Sequence, residues 1–81
     1  MEEYYVYILK GSNEKFYKGI TNNIEKRLHQ HELGQSETTS DMKGFKLVHV
    51  EISRTRVEAR KIEKYFKSGF GREIVKELFS D

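Results

Sequence analysis

The tract Tyr4-Tyr5-Val6-Tyr7-Ile8-Leu9-Lys10 constrains this chain more than any other stretch. Five of its seven residues are aromatic or β-branched, and apolar side chains occur on both alternating faces. Such a run favours a strand covered on both sides, hence a central one. The chain has 81 residues, so there is room for one domain and one compact core. With 36% hydrophobic residues, much of that core must come from the five Tyr and five Phe.

Gly11-Ser12-Asn13-Glu14 is turn chemistry, and Phe16 to Ile20 reads as a second strand. The short connection predicts an antiparallel hairpin. Thr21-Asn22-Asn23 supplies capping residues and Glu25 suits a first turn, so a helix is expected from about Ile24 to Leu33, stopped by Gly34. Gln35 to Gly44 is polar and reads as a loop. Lys46 to Ser53 is a third strand. Ser53 or Thr55 can cap a helix over roughly Arg56 to Ser68, ending at Gly69 with Gly71 beyond, and a short last helix covers Arg72 to Phe79. The order β-β-α-β-α-α predicts an α+β fold, a small three-stranded antiparallel sheet flanked by helices.

There is no Cys, which excludes disulfides and thiolate metal sites. No apolar run approaches the ~20 residues that span a bilayer, and Met1-Glu2-Glu3-Tyr4 lacks a signal-peptide start. The expectation is a cytoplasmic protein with no membrane partner. The formal net charge of +2 permits a nucleic-acid partner without demanding one. Arg54, Arg56, Arg60, Lys61, Lys64, Lys67 and Arg72 crowd one segment. They fit either a solvated helix face balanced by Glu58 and Glu63 or an electrostatic footprint.

At about 100° per residue, Ile24 and Leu28 share the inner face of the first helix. Arg27 and His31 lie one turn apart at the edge of that face. In the second helix Glu63 flanks the stripe of Ala59, Ile62 and Phe66. A carboxylate there needs a partner, either Arg60 or Lys67 along the helix or a metal. On the hairpin Tyr5, Tyr7 and Leu9 share a face, as do Tyr17 and Gly19. Two tyrosines can meet across the pair, with Gly19 leaving room for a backbone or ligand.

Tyr5-Val6-Tyr7, then Tyr17-Lys18-Gly19, Arg27, His31 and Glu63, in this order and spacing, are similar to the GIY-YIG endonuclease domain. The tracts Phe16 to Asn22, Glu25 to His31 and Glu63 to Arg72 resemble more narrowly the small stand-alone bacterial UPF0213 group. Tyr5 and Val6 replace Gly and Ile of the first motif, and Lys18 replaces Ile of the second. The resemblance implies a DNA phosphodiester hydrolase working with Mg²⁺ or Mn²⁺ in DNA repair or recombination. Tyr7 and Tyr17 match the motif tyrosines, one of which helps activate water. Arg27 matches the arginine on the scissile phosphate, His31 a position that assists proton transfer, and Glu63 the carboxylate that holds the metal. Gly19, Asn22, Lys67 and Arg72 would be substrate-binding neighbours. Tyr7 serves as a base only if its pKa falls, which Arg27 and the metal could bring about; His31 is the competing base. Cutting both strands of a duplex takes a homodimer, a partner protein or two visits. Two acids, Glu37 and Asp41, in the loop after Gly34 speak for weak duplex affinity. The alternative is a nucleic-acid-binding module that keeps the nuclease fold with little or no cleavage; a plain protein-interaction domain is a third reading.

Overall fold

The structure is a computed structural model that describes residues 3–12, 14–32 and 45–80. Its elements are β1 (Tyr4–Gly11), β2 (Phe16–Thr21), α1 (Ile24–Glu32), β3 (Phe45–Ser53), α2 (Arg56–Lys67) and α3 (Gly69–Phe79). The sheet order is β2-β1-β3, antiparallel throughout. The element order and the α+β architecture are those expected. Leu33, Gly34 and the loop expected over 35–44 lie outside the described residues.

The doubly apolar tract is the central strand, and Val6, Tyr7, Ile8 and Leu9 are all fully buried. Strand alternation sends Tyr7 towards α1, where it meets Arg27 and His31. It sends Ile8 and Lys10 the other way, towards α2 and α3. There His49, the register partner of Ile8, packs its ring against Phe66 and Phe79. Lys10 is also buried, with its amine donating to the Phe79 carbonyl at 2.9 Å. A cation there satisfies the negative C-terminal end of α3 and ties it to the central strand.

The helix starts follow capping chemistry. Asn23 Oδ1 accepts from the Lys26 amide at the start of α1, and Thr55 Oγ1 accepts from the Glu58 amide at the start of α2, both at 3.1 Å. Thr55, not Ser53, is the cap of α2.

The α2–α3 junction differs from expectation. Gly69 does not terminate a helix and α3 does not wait until Arg72; the break is Ser68 alone. Its hydroxyl donates to the Tyr65 carbonyl at 2.6 Å and accepts from the Gly71 amide at 3.1 Å, so one residue closes α2 and opens α3. Gly71 is buried inside α3 because the Tyr65 carbonyl passes directly against it: a Cβ there would overlap that oxygen. Close packing, not helix termination, requires this glycine.

Gly71→Ala should therefore lower the melting midpoint by about 5–20 °C, the cost of forcing backbone apart. Gly69→Ala, with nothing near the added carbon, should melt within a few degrees of the native protein. Thermal denaturation of both variants checks this, and equal midpoints would contradict it.

Candidate active site

β2 is an edge strand, with no second strand partner among the described residues. A groove of about 670 Å³ opens over it, between α1 on one side and α2 on the other. Tyr7, Tyr17, Gly19 and Arg27 line it from the α1 side, and Arg56, Arg60, Glu63 and Lys67 from α2. Lys18, Tyr4 and the Thr21–Asn22 corner complete it.

At its floor is a chain of side chains built on Tyr7. Tyr7 pairs with Gly19 in the β1–β2 register. Its ring lies across that glycine: a Cβ on Gly19 would come within 2.5 Å of the Tyr7 hydroxyl. The hydroxyl accepts a hydrogen bond from Arg27 Nε at 3.2 Å. It lies 3.0 Å from His31 Nε2. With His31 neutral and Nε2 bare, the phenolic proton goes to that nitrogen while Arg27 donates to the same oxygen, and this is the tautomer assigned here. Gln30 fixes the other end of the guanidinium, accepting from Arg27 Nη1 at 3.1 Å. Arg27, Gln30 and His31 can all serve because helix spacing sets them on neighbouring turns of α1.

Burial sets the proton chemistry. It pushes the Tyr7 phenol up to about 12, with Arg27 opposing and the nearby Tyr17 adding to the rise. Of the two groups that could bring Tyr7 into the range of a base, Arg27 by itself does not: desolvation outweighs the cation. His31, 2% exposed and enclosed by Tyr17 at 5.1 Å and Phe45 at 6.0 Å between ring centroids, is pushed below its usual range by burial and by Arg27. Arg27 is in turn held more firmly protonated, chiefly by its bond to Tyr7.

Glu63 faces the groove with 24% of its side chain exposed, paired to Lys67 at 3.3 Å. The partner expected along its own helix is therefore present, and the pair stands inside the groove. Asn22 lines the corner beside it, while Arg72 lies in an adjoining hollow with Lys18 and Lys67. Among the described residues no three carboxylate or imidazole groups converge as a preformed cage. A single, mostly covered carboxylate suits a hard cation such as Mg²⁺, which keeps several waters and takes one or two protein ligands.

Arg56 and Arg60 were not singled out from the sequence as site residues, yet the signal was there. Taking Arg56 as origin, Arg60, Glu63 and Lys67 all fall within about 40° of it on one stripe of α2. Arg56 also stacks over the Tyr4 ring at 5.3 Å. Arg54, Lys61 and Lys64 do not line this groove.

Two motif tyrosines, an arginine on the following helix and a carboxylate on a later helix converge on one edge strand. The family model for the GIY-YIG catalytic domain matches residues 3–76, and the chain belongs to that family of nuclease-type modules. Within it the chain is similar to several UPF0213 proteins. That of Limosilactobacillus reuteri is 35% identical over 69 residues, 82% of this chain and 72% of the relative. That of Clostridium perfringens is 42% identical over 64 residues, 78% and 69% of the two chains. The protein of Staphylococcus saprophyticus is 34% identical over 82 residues, covering 100% of this chain and 99% of its own. The solution structure of the UPF0213 protein from Bacillus halodurans superposes with a TM-score of 0.58 at 28% identity, over 95% of this chain and 85% of that one. No helix among the described residues is long and apolar enough to cross a membrane.

The lowered His31 pKa predicts a pH dependence of stability. The unfolded imidazole titrates near 6.5 and the folded one lower. Between the two values only the unfolded chain binds the proton, so stability is complete above about 6.5 and falls as the pH drops towards the folded value. Melting curves from pH 7.5 to 5 should show this loss, and His31→Gln should show less of it. Equal slopes for the two proteins would contradict the assignment.

Proposed function

We propose that this groove hydrolyses phosphodiester bonds of DNA with a divalent metal, Mg²⁺ or Mn²⁺, at Glu63. The observation that carries the reading is that Arg27, Tyr7, Tyr17 and Glu63, contributed by four different elements, line one basic groove over an edge strand. Arg27 carries the charge that builds on the scissile phosphate; Gln30 and Tyr7 already hold its guanidinium, so it binds without reorganising. Arg56 and Arg60 seat the phosphates beside it. When bound at Glu63, the metal supplies Lewis-acid stabilisation of the phosphate and leaving oxygen. Lys67 then releases the carboxylate and turns to the substrate.

The proton path avoids a tyrosinate. Tyr7 need not ionise: its oxygen takes a proton from the attacking water as its own phenolic proton passes to His31 Nε2, 3.0 Å away. The hydroxide so formed attacks phosphorus, the ester P–O bond breaks, and the leaving oxygen is protonated from solvent. The lowered pKa keeps His31 unprotonated and so able to accept, at the cost of making it a weaker base. Tyr17, half-buried at the groove wall, orders the water. A cytoplasmic setting and a role in DNA repair or recombination fit this chemistry, and a double-strand cut would take a homodimer, a partner protein or two visits.

A binding module with the same fold is the second reading. It is favoured by the full enclosure of Tyr7 and by the Glu63–Lys67 pair, which already satisfies the carboxylate. Nicking of supercoiled plasmid and of branched DNA with Mg²⁺ or Mn²⁺ separates the two. The native protein is expected to nick, Glu63→Gln to lose the metal-dependent reaction while remaining folded, and Arg27→Gln to slow it by about 10²–10³. Binding without nicking on every substrate would support the module, and unchanged nicking by Glu63→Gln would remove it as the metal ligand.

A further inference from the structure

The groove does not end at Glu63. Beyond it lies a hollow of about 410 Å³ lined by Phe16, Tyr17, Lys18, Lys67 and Arg72. It shares Tyr17, Lys18 and Lys67 with the groove itself. A third hollow, of about 340 Å³, shares Phe16, Lys18 and Arg72 with the second and runs on to Lys76. The three are thus contiguous along β2. From Gly19 to Phe16 they follow about 10 Å of strand, roughly three times the 3.4 Å axial rise of one nucleotide in a duplex strand.

Of the three cations here, Lys67 is paired with Glu63 and the other two have no protein counterpart among the described residues. Strand alternation puts Lys18 on the face opposite Tyr17 and Gly19, among Lys67 and Arg72. Among the described residues no carboxylate comes within ion-pair range of Lys18 or Arg72. Burial first, then Arg72 and Lys67, push the Lys18 amine below its usual range, the direction that a bound anion would reverse. The acid at the far end, Glu14, faces Lys10 at 3.6 Å. Beside these cations stands Phe16, half-buried, on the same strand face as Lys18. Cations that track a backbone beside an aromatic ring on which a base can stack are the means by which proteins bind single strands without sequence preference. A ring can receive a base only where that base is unstacked from a duplex.

Resting on the nuclease reading of the groove, we infer that this hollow is a flanking-nucleotide subsite: Lys18 and Arg72 hold the phosphate next to the scissile one, Phe16 stacks its base, and the substrate is therefore single-stranded or frayed on that side of the cut. Duplex held on both sides would leave Phe16 without a partner. Lys18 occupies the middle position of the second motif, so the departure from that motif is a residue of the subsite.

The test is fluorescence-anisotropy binding of a labelled single-stranded DNA oligonucleotide and its duplex to the full chain, across a salt series. Native protein, Lys18→Gln, Arg72→Gln, Phe16→Leu and, as a reference inside the groove, Arg27→Gln are compared. Lys18→Gln and Arg72→Gln should each weaken single-strand binding and lower the slope of log K against log salt by about 0.7, one phosphate contact. Phe16→Leu should leave that slope alone and weaken single-strand binding about fivefold or more, with duplex binding unchanged. Circular dichroism melts confirm that each variant is folded. Native, salt-sensitive binding with slopes for Lys18→Gln and Arg72→Gln equal to the native one would overturn the subsite and leave the nuclease reading standing. Equal losses on duplex and single strand for Phe16→Leu would overturn the stacked base. Native protein that binds neither DNA would overturn the nuclease reading, and the subsite with it.

Discussion

The hydroxyl of Tyr7 meets three groups that come from two elements. Gly19 of β2 leaves the volume it occupies, Arg27 of α1 donates to it, and His31 of α1 lies one turn further on at hydrogen-bond distance. Burying a phenol on a central strand is costly unless its oxygen is satisfied, and here both sides of it are. The contact between sheet and helix is for that reason polar and directional, whereas an apolar one would tolerate sliding. It sets the rotation of α1 on the sheet, and so the position of the guanidinium in the groove. The same burial that locks Tyr7 in place pushes its pKa up and that of His31 down. Fold stability and proton chemistry thus come from one interaction.

The second constraint is that β2 is an edge. A central strand would be covered on both faces and flanked on both sides. An edge strand lets groups on its two faces meet around a free margin, which is how Arg27, from the Tyr7 side of the sheet, and Glu63, on α2 across it, come to line one groove. Exposed sheet edges invite association with other chains, and charged residues at the edge discourage it. Lys18 does that here and adds positive potential along the same margin. The basic stripe of α2, from Arg56 to Lys67, borders the groove from the far side.

Much of this was legible in the residues. The doubly apolar tract marked β1 as central. The short turn marked an antiparallel hairpin, while the register that sets Gly19 beside Tyr7 is a finding of the structure. Helical spacing alone set Arg27 and His31 together at the border of the buried face. What escaped had identifiable causes. Gly69 and Gly71 carry the local signature of a helix stop, but a serine that caps in both directions and a carbonyl pressed on Gly71 are facts of packing, which local chemistry does not encode. Reading α2 from its apolar stripe picked out Glu63 as an intruder and passed over Arg56 and Arg60, although they share its stripe. The balance between desolvation and Arg27 at Tyr7 depends on how deeply the ring is covered, a tertiary quantity. Pattern alone does not say whether an aromatic pair across a hairpin is core or lines a cleft, and here Tyr7 is buried and also lines the groove.

If the Tyr7 hydroxyl organises the site, the tautomer of His31 reports it directly. Nitrogen-15 NMR of the imidazole at pH 7 distinguishes the three forms of the ring by which nitrogen carries a proton. The account requires neutral His31 with Nε2 unprotonated in the native protein, and a shift of the Nε2 resonance in Tyr7→Phe as the donor is removed. A ring protonated at Nε2 at pH 7, or an Nε2 resonance that ignores the loss of the phenol, would contradict it.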